Sequence, residues 1–233
     1  MKYSIVVLLF VGVAVLAVCP AARAAPVAVA NAGFEMKTLA DGDYDWQMDG
    51  QGWGYVDNGG NLGPWNPTTA DYPAQAPEGV NVGWTESGDG IPGGFAQILS
   101  ETLASGMTYT LTVKVGNAIG YAWPGYAVQL LAGGTKGDSG DDYADPITGG
   151  FLLAQDNDSQ TVADGTFVTS TVVYTYDPAH SAHLGKPLQI RLLALGAGEV
   201  EFDDVRLNAT PEPASLVILG LGTLAVIRRR RQK

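Results

Sequence analysis

The chain has 233 residues, 24 acidic against 13 basic side chains, a formal net charge of −11 and 46% hydrophobic residues. That length suffices for one ordinary domain with its own core plus separable ends. The acidity disfavours nucleic acid and anionic lipid as partners, and Cys19, the only cysteine, excludes a disulfide.

The N-terminus reads as an export signal. Lys2 supplies a positive start, Ile5–Val18 is a continuous apolar run, and Ala22-Arg23-Ala24 is a small-x-small cleavage site. Residues 1–25 are therefore expected to be a signal peptide handled by the general secretion machinery and signal peptidase. Cleavage there removes Cys19, and with it any thiolate nucleophile or zinc–sulfur site.

Residues 26–210 carry 23 of the 24 acids and only six of the 13 basic residues. No long amphipathic helical pattern occurs. Thr108–Val115 alternates instead: Tyr109, Leu111, Val113 and Val115 point one way, and Thr108, Thr110, Thr112 and Lys114 the other, as in a strand with one buried face. Further strand candidates are Gly79–Trp84, Phe95–Leu103, Tyr126–Ala132, Phe151–Gln155, Thr166–Tyr176, Leu188–Ala194 and Glu199–Leu207, separated by Gly- and Asp-rich turns. The expected fold is all-β, an antiparallel sandwich or barrel.

The segment Met36–Pro77 holds many aromatics among Gly, Pro, Asn and Asp, with little aliphatic content. Sugars stack their C–H faces on flat rings while their hydroxyls bond to Asp and Asn. Trp53, Tyr55 and Trp65 beside Asp57, Asn58, Asn61 and Asn66 suit that task, and Trp46, Trp84, Tyr121 and Trp123 could extend the same face. The competing reading is that these rings pin long loops onto the sandwich. Asp41-x-Asp43-x-Asp45 does not complete an EF-hand loop, because Trp46 and Gly52 stand where Gly and Glu belong. His180 and His183 lack a metal-ligand spacing. There is no Gly-x-Ser-x-Gly elbow and no phosphate loop.

Asn31-Ala32-Gly33-Phe34-Glu35 at one end of this domain and Val200-Glu201-Phe202-Asp203-Asp204-Val205-Arg206-Leu207 at the other resemble jelly-roll modules of the galactose-binding-like type, many of which bind carbohydrate. Leu103-Ala104-Ser105-Gly106-Met107-Thr108-Tyr109 resembles their hairpin into a core strand. The resemblance implies adjacent first and last strands and a structural calcium on Glu35 with Asp204 or Asp203, a cation that oxygen ligands suit. Strand parity leaves the choice of Asp open: Val200 and Phe202 share a face with Asp204, but Val205 and Leu207 share one with Asp203. A bulge between them would reconcile the two.

The last segment, 211–233, has three parts: the rigid tripeptide Pro211-Glu212-Pro213, an uncharged run Ala214–Ile227, and the block Arg228, Arg229, Arg230 and Arg231. The run is 14 residues long, short of the ~20 that span a bilayer, and the arginines favour the cytoplasmic side. This order resembles the PEP-CTERM sorting signal, which implies recognition by a membrane-embedded exosortase, transient residence in the inner membrane, and delivery to the cell surface or extracellular matrix.

The combined expectation is a signal peptide (1–25), a jelly-roll β-sandwich (26–210) and a sorting signal with a short hydrophobic helix (211–233). Its expected function is noncatalytic binding of extracellular polysaccharide. The alternatives are a structural matrix protein without a ligand and a glycoside-active enzyme using paired carboxyls ~5–9.5 Å apart.

Overall fold

A computed structural model describes residues 23–46, 48, 51–56, 61–87, 91–140 and 144–212. The N-terminal apolar run Ile5–Val18, Asp57, Asn58, Pro213, the C-terminal apolar run and Arg228–Arg231 lie outside the described residues.

The strands in chain order are β1 (Ala25–Val27), β2 (Gly54–Val56), β3 (Leu62–Trp65), β4 (Val82–Ser87), β5 (Gly93–Thr102), β6 (Met107–Asn117), β7 (Tyr126–Ala132), β8 (Thr135–Lys136), β9 (Ile147–Thr148), β10 (Phe151–Asn157), β11 (Thr166–Thr175), β12 (Pro187–Ala194) and β13 (Gly198–Pro211). A 3₁₀ turn, Pro178–His183, is capped by Asp177, whose side chain accepts from the Ala179 amide at 2.8 Å. One sheet runs β11-β6-β13-β4-β3, with β1 also paired to β13; the second runs β10-β7-β12-β5-β2; β8 and β9 form a small ribbon. All pairs within these sheets are antiparallel. The protein is an antiparallel β-sandwich.

The alternation in β6 does what the sequence pattern requires. Tyr109, Leu111, Val113 and Val115 are all fully buried, and they pack with Val128 and Leu130 of β7 and Leu188, Ile190 and Leu192 of β12 in one apolar core. The first and last strands are adjacent, Ala25 opposite Ala209. The parity conflict in β13 is resolved by an irregularity between Asp203 and Arg206, with Asp204 at φ 48°. One extra residue there returns the following side chains to the inner face. Val200 and Phe202 before it, and Val205, Leu207 and Ala209 after it, therefore all reach the core.

Regular alternation ahead of the bulge leaves Glu199, Glu201 and Asp203 on the outer face of β13, opposite to Val200 and Phe202. On β4, Gly83 faces inward: a Cβ there would come within 2.4 Å of the Phe34 ring. Val82 and Trp84 consequently face outward, where they form a second apolar cluster with Trp65, Tyr72 and Ala118. This cluster is the floor on which the site is built.

Candidate active site

Two segments fold over the outer face of β3, β4 and β13. The first, Leu39–Trp46, is held by hydrogen bonds from the Asn66 side chain to Leu39 O (3.0 Å), from the Gly42 amide to Asn66 O (2.8 Å) and from the Asn66 amide to Asp43 O (2.9 Å). The second is a turn whose Asp71 carboxylate accepts from both the amide (2.9 Å) and the hydroxyl (2.7 Å) of Thr68. That turn directs Tyr72 onto the sheet, where its ring stacks on Phe167 at 4.3 Å. Gly116 makes this possible: a Cβ there would lie 2.4 Å from Phe167 and 2.6 Å from the Tyr72 hydroxyl oxygen.

Between these segments lies a cavity of about 510 Å³, lined by Tyr44, Trp46, Trp65, Trp84 and Tyr121 with Asp71, Glu86 and Glu199 among the polar groups. Tyr44 meets Trp84 edge-on at 5.8 Å and lies over Trp46 at 5.9 Å; Tyr121 meets Trp65 edge-on at 6.0 Å. None of the lining residues is Lys, Arg or His.

Glu86 and Glu199 are directly opposite on β4 and β13. Glu201 is fully buried beneath them and accepts a short hydrogen bond from the Tyr72 hydroxyl. Burial pushes the Glu199 carboxyl up to about 7, with repulsion from Glu86 and Asp71 adding to the shift. Burial, then repulsion from Glu199, holds the Glu201 carboxyl well above the usual carboxylate range. Tyr72 is raised as well, by burial and by Glu201. Two buried polar atoms here have no partner within the protein, Trp84 Nε1 and Glu201 Oε1.

Of the seven aromatics predicted to meet a ligand, four share this cavity: Trp46, Trp65, Trp84 and Tyr121. The other three do not. Trp53 is only 3% exposed, stacks on Phe34 at 5.4 Å and donates from Nε1 to Asn31 O at 2.9 Å. Tyr55 and Trp123 are half-buried against the same core, Trp123 edge-on to Tyr126 at 6.1 Å. Sequence reasoning missed Glu86, Glu199, Glu201, Asp71 and Tyr72. Glu199 and Glu201 alternate with Val200 and Phe202 and read as the outer face of a strand, which gave no sign of a covering segment.

Of the predicted calcium ligands, Glu35 and Asp204 line one pocket together with Glu78. Among the described residues no group of three or more His, Cys, Asp or Glu side chains is arranged to hold a metal ion. Glu35 accepts from the amides of Val80 and Asn81, both at 2.7 Å. Asp203 accepts from the amides of Glu78 (2.8 Å) and Asp204 (2.6 Å), and Asp204 pairs with Arg206 at 2.6 Å. Burial raises the Asp203 carboxyl to about 8, with Glu78 and Asp204 adding repulsion.

Residues 25–208 match the family model of the HpiC1 cyclase. The chain belongs to the HpiC1-like cyclase family. Solved structures agree. The Stig cyclase Fisc from Fischerella sp. TAU, in complex with (3Z)-3-(1-methyl-2-pyrrolidinylidene)-3H-indole, is 30% identical, with 82% of this chain and 100% of that one covered and a TM-score of 0.68. A cyclase from the same organism, in complex with 4-(1H-indol-3-yl)butan-2-one, is 31% identical over 81% of this chain and 98% of its own, with a TM-score of 0.67. An α-L-arabinofuranosidase at 13% identity, covering 79% of this chain and 26% of its own with a TM-score of 0.50, is alike in fold alone. No curated protein matches the sequence. Membership of the HpiC1-like family overturns the expectation of a noncatalytic polysaccharide-binding module.

Residues 209–231 match the PEP-CTERM protein-sorting motif, which marks an exported chain for exosortase processing at the membrane and cell surface. No helix among the described residues is long and apolar enough to cross a membrane.

Proposed function

We propose that this protein is a cyclase that closes a ring on an unsaturated aromatic substrate, with Glu199 as the proton donor. The supporting observation is a carboxyl that burial brings to about 7, set in the wall of an aromatic cavity. An acid of that strength is protonated often enough near neutrality to donate, and its conjugate base is strong enough to take a proton back.

In the proposed reaction the Glu199 O–H bond breaks and its proton adds to an alkene carbon or imine nitrogen of the substrate. Positive charge develops on the adjacent carbon, facing the rings of Trp65, Trp84 and Tyr121, whose π-faces attract cations. A second π bond of the same molecule attacks that carbon and forms the ring bond. Loss of a C–H proton to the Glu199 carboxylate restores the unsaturated system and the acid. Substrate and product are isomers, and neither oxidant nor reductant is consumed. Glu201 and Tyr72 hold Glu199 in place from below, and the covering segments keep water from the cation.

The ligands in the two Fischerella cyclases carry indole rings, so an indole with an alkenyl side chain is the first substrate to test. Incubation in deuterium oxide should give a cyclised product with one deuterium at the protonated position, and Glu199→Gln should abolish turnover. Unchanged turnover in Glu199→Gln would reject this assignment.

A structural calcium on Glu35 and Asp203 is also proposed. Its support is the buried Asp203 carboxyl crowded by Glu78 and Asp204, a charge arrangement that a divalent cation would relieve.

A further inference from the structure

β1 begins and β13 ends at the same edge of the sandwich. Ala25 of β1 is opposite Ala209, Pro211 is opposite Met107 at the start of β6, and Thr108 is opposite Thr175 at the end of β11. In sequence, only Pro213 separates Glu212 from the uncharged run Ala214–Ile227. The start of β13, with Glu199 and the cavity, lies at the other end of the strand.

The end where β13 finishes also carries exposed apolar side chains. The segment after β11, with its 3₁₀ turn, crosses this end and is tied down by hydrogen bonds from the Gly185 amide to Leu103 O and from the Leu103 amide to Lys186 O, both at 2.9 Å. Phe151, which opens β10, and Leu152 are 37% and 40% exposed, and Leu184 is 40% exposed. The Phe151 ring stacks on His183 at 3.9 Å and meets His180 edge-on at 4.9 Å. These are the only two histidines of the chain. Lys186 Nζ lies 3.4 Å from His183 Nδ1. Aromatic and leucine side chains with a lysine at their margin suit the headgroup boundary of a bilayer, where apolar atoms enter and the ammonium reaches back to water.

We propose that Phe151, Leu152 and Leu184 form a lipid-contacting face, which seats the sandwich on the bilayer at which its sorting motif is processed. The occupant follows from the chain's own course: the motif at 209–231 directs processing at a membrane, and the strand that leads into it ends on this face. Glu101, Asp177 and Glu212 lie at the same end, so the contact is apolar and favours a zwitterionic surface over an anionic one. The dozen or so residues of strand from Glu199 to Pro211 span up to about 40 Å. The cavity mouth is thereby turned away from the lipid.

The test uses the full-length chain carrying Cys19→Ser, reconstituted in phosphatidylcholine vesicles. One environment-sensitive fluorophore is attached at Leu184→Cys or, as the comparison, at Ala70→Cys, an exposed position in the turn beside the cavity. With spin-labelled acyl chains in the vesicles, the Leu184 label should lose about half its emission or more, and the Ala70 label little. Adding Phe151→Asp should return most of the Leu184 emission. Equal quenching of the two labels, quenching of neither, or failure of the chain to associate with the vesicles would overturn the proposal. Energy transfer between Leu184 labels on two chains, without quenching by lipid, would give the face to a second copy and overturn it as well. If Leu184→Cys does not fold, the label moves to Leu152→Cys with the same outcomes.

Discussion

Glu86 on β4 and Glu199 on β13 occupy directly opposed positions of an antiparallel pair, both at the cavity wall. Opposed like charges cost a sheet a few tenths to about 1 kcal/mol. Glu86→Gln should therefore raise the melting temperature, by about 2–4 °C per kcal/mol recovered. Repulsion from Glu86 contributes to the raised Glu199 carboxyl, so the same substitution should lower the pH at which Glu199 loses its proton. Calorimetry reads the first effect, and the pH–rate profile reads the second.

Glu199 must be protonated to donate. Turnover should fall as pH rises through about 7, the value to which burial brings this carboxyl. A profile that instead rises from pH 6 to pH 8 would contradict its role as the acid.

Stability should share that direction. Asp203 is raised from 3.8 to about 8 and Glu199 from 4.5 to about 7. A carboxyl that binds its proton more tightly when folded contributes fully below its unfolded value, and the contribution is lost as pH rises through the folded value. The melting temperature should fall between about pH 4.5 and 8, and Asp203→Asn should flatten the upper part of that slope. Calcium on Glu35 and Asp203 would take the place of the proton. Chelation should then lower the melting temperature and Glu35→Gln should remove that difference; identical melting with and without chelator rejects the ion.

The Tyr72 hydroxyl is a donor to wholly buried Glu201. Tyr72→Phe keeps the ring on Phe167 but strands a carboxyl oxygen, at a cost of about 1–3 kcal/mol. The expected readout is a lower melting temperature with the sandwich intact by far-ultraviolet circular dichroism.

Trp53 and Trp65 should part company. Trp53 is a core side chain between Phe34 and Phe95, so Trp53→Ala should cost about 3–5 kcal/mol. Trp65 lines the cavity, and the milder Trp65→Leu should weaken indole binding more than it weakens the fold. Equal losses of stability and unaltered binding would count against this division.

Much of the sandwich was legible because its cause is local. Alternation in Thr108–Val115 and Tyr126–Ala132 reports a buried face directly, and β6 and β7 lie where that pattern puts them. The reversal of parity after Phe202 also carried the bulge in veiled form, since no single regular strand could bury both Phe202 and Val205. The short strands β2 and β3 were not legible; three and four residues among Gly and Pro carry no period. The site was half legible. Aromatic density in Met36–Pro77 marked the right segment, but Trp53 and Trp65 have similar neighbours in sequence and opposite fates in space. Glu199 and Glu201 looked like solvent-facing strand acids. Glu201 is enclosed because the turn at Thr68–Asp71, more than 120 residues away, lays Tyr72 on its carboxyl, while Glu199 lines the cavity wall. A proton-donating carboxyl also needs no nucleophile elbow or phosphate loop, so the missing motifs said nothing against this chemistry.

β13 does not stop short of the sorting motif. Pro211 still pairs with Met107, and the Glu212 amide donates to Gly106 O at 2.8 Å. The sorting motif, from residue 209, thus begins inside the last strand. A protease that needs an extended substrate at Pro211 must first peel this terminal rung from β6. Unzipping a single rung leaves the core strands paired, so the sandwich can be released without being unfolded.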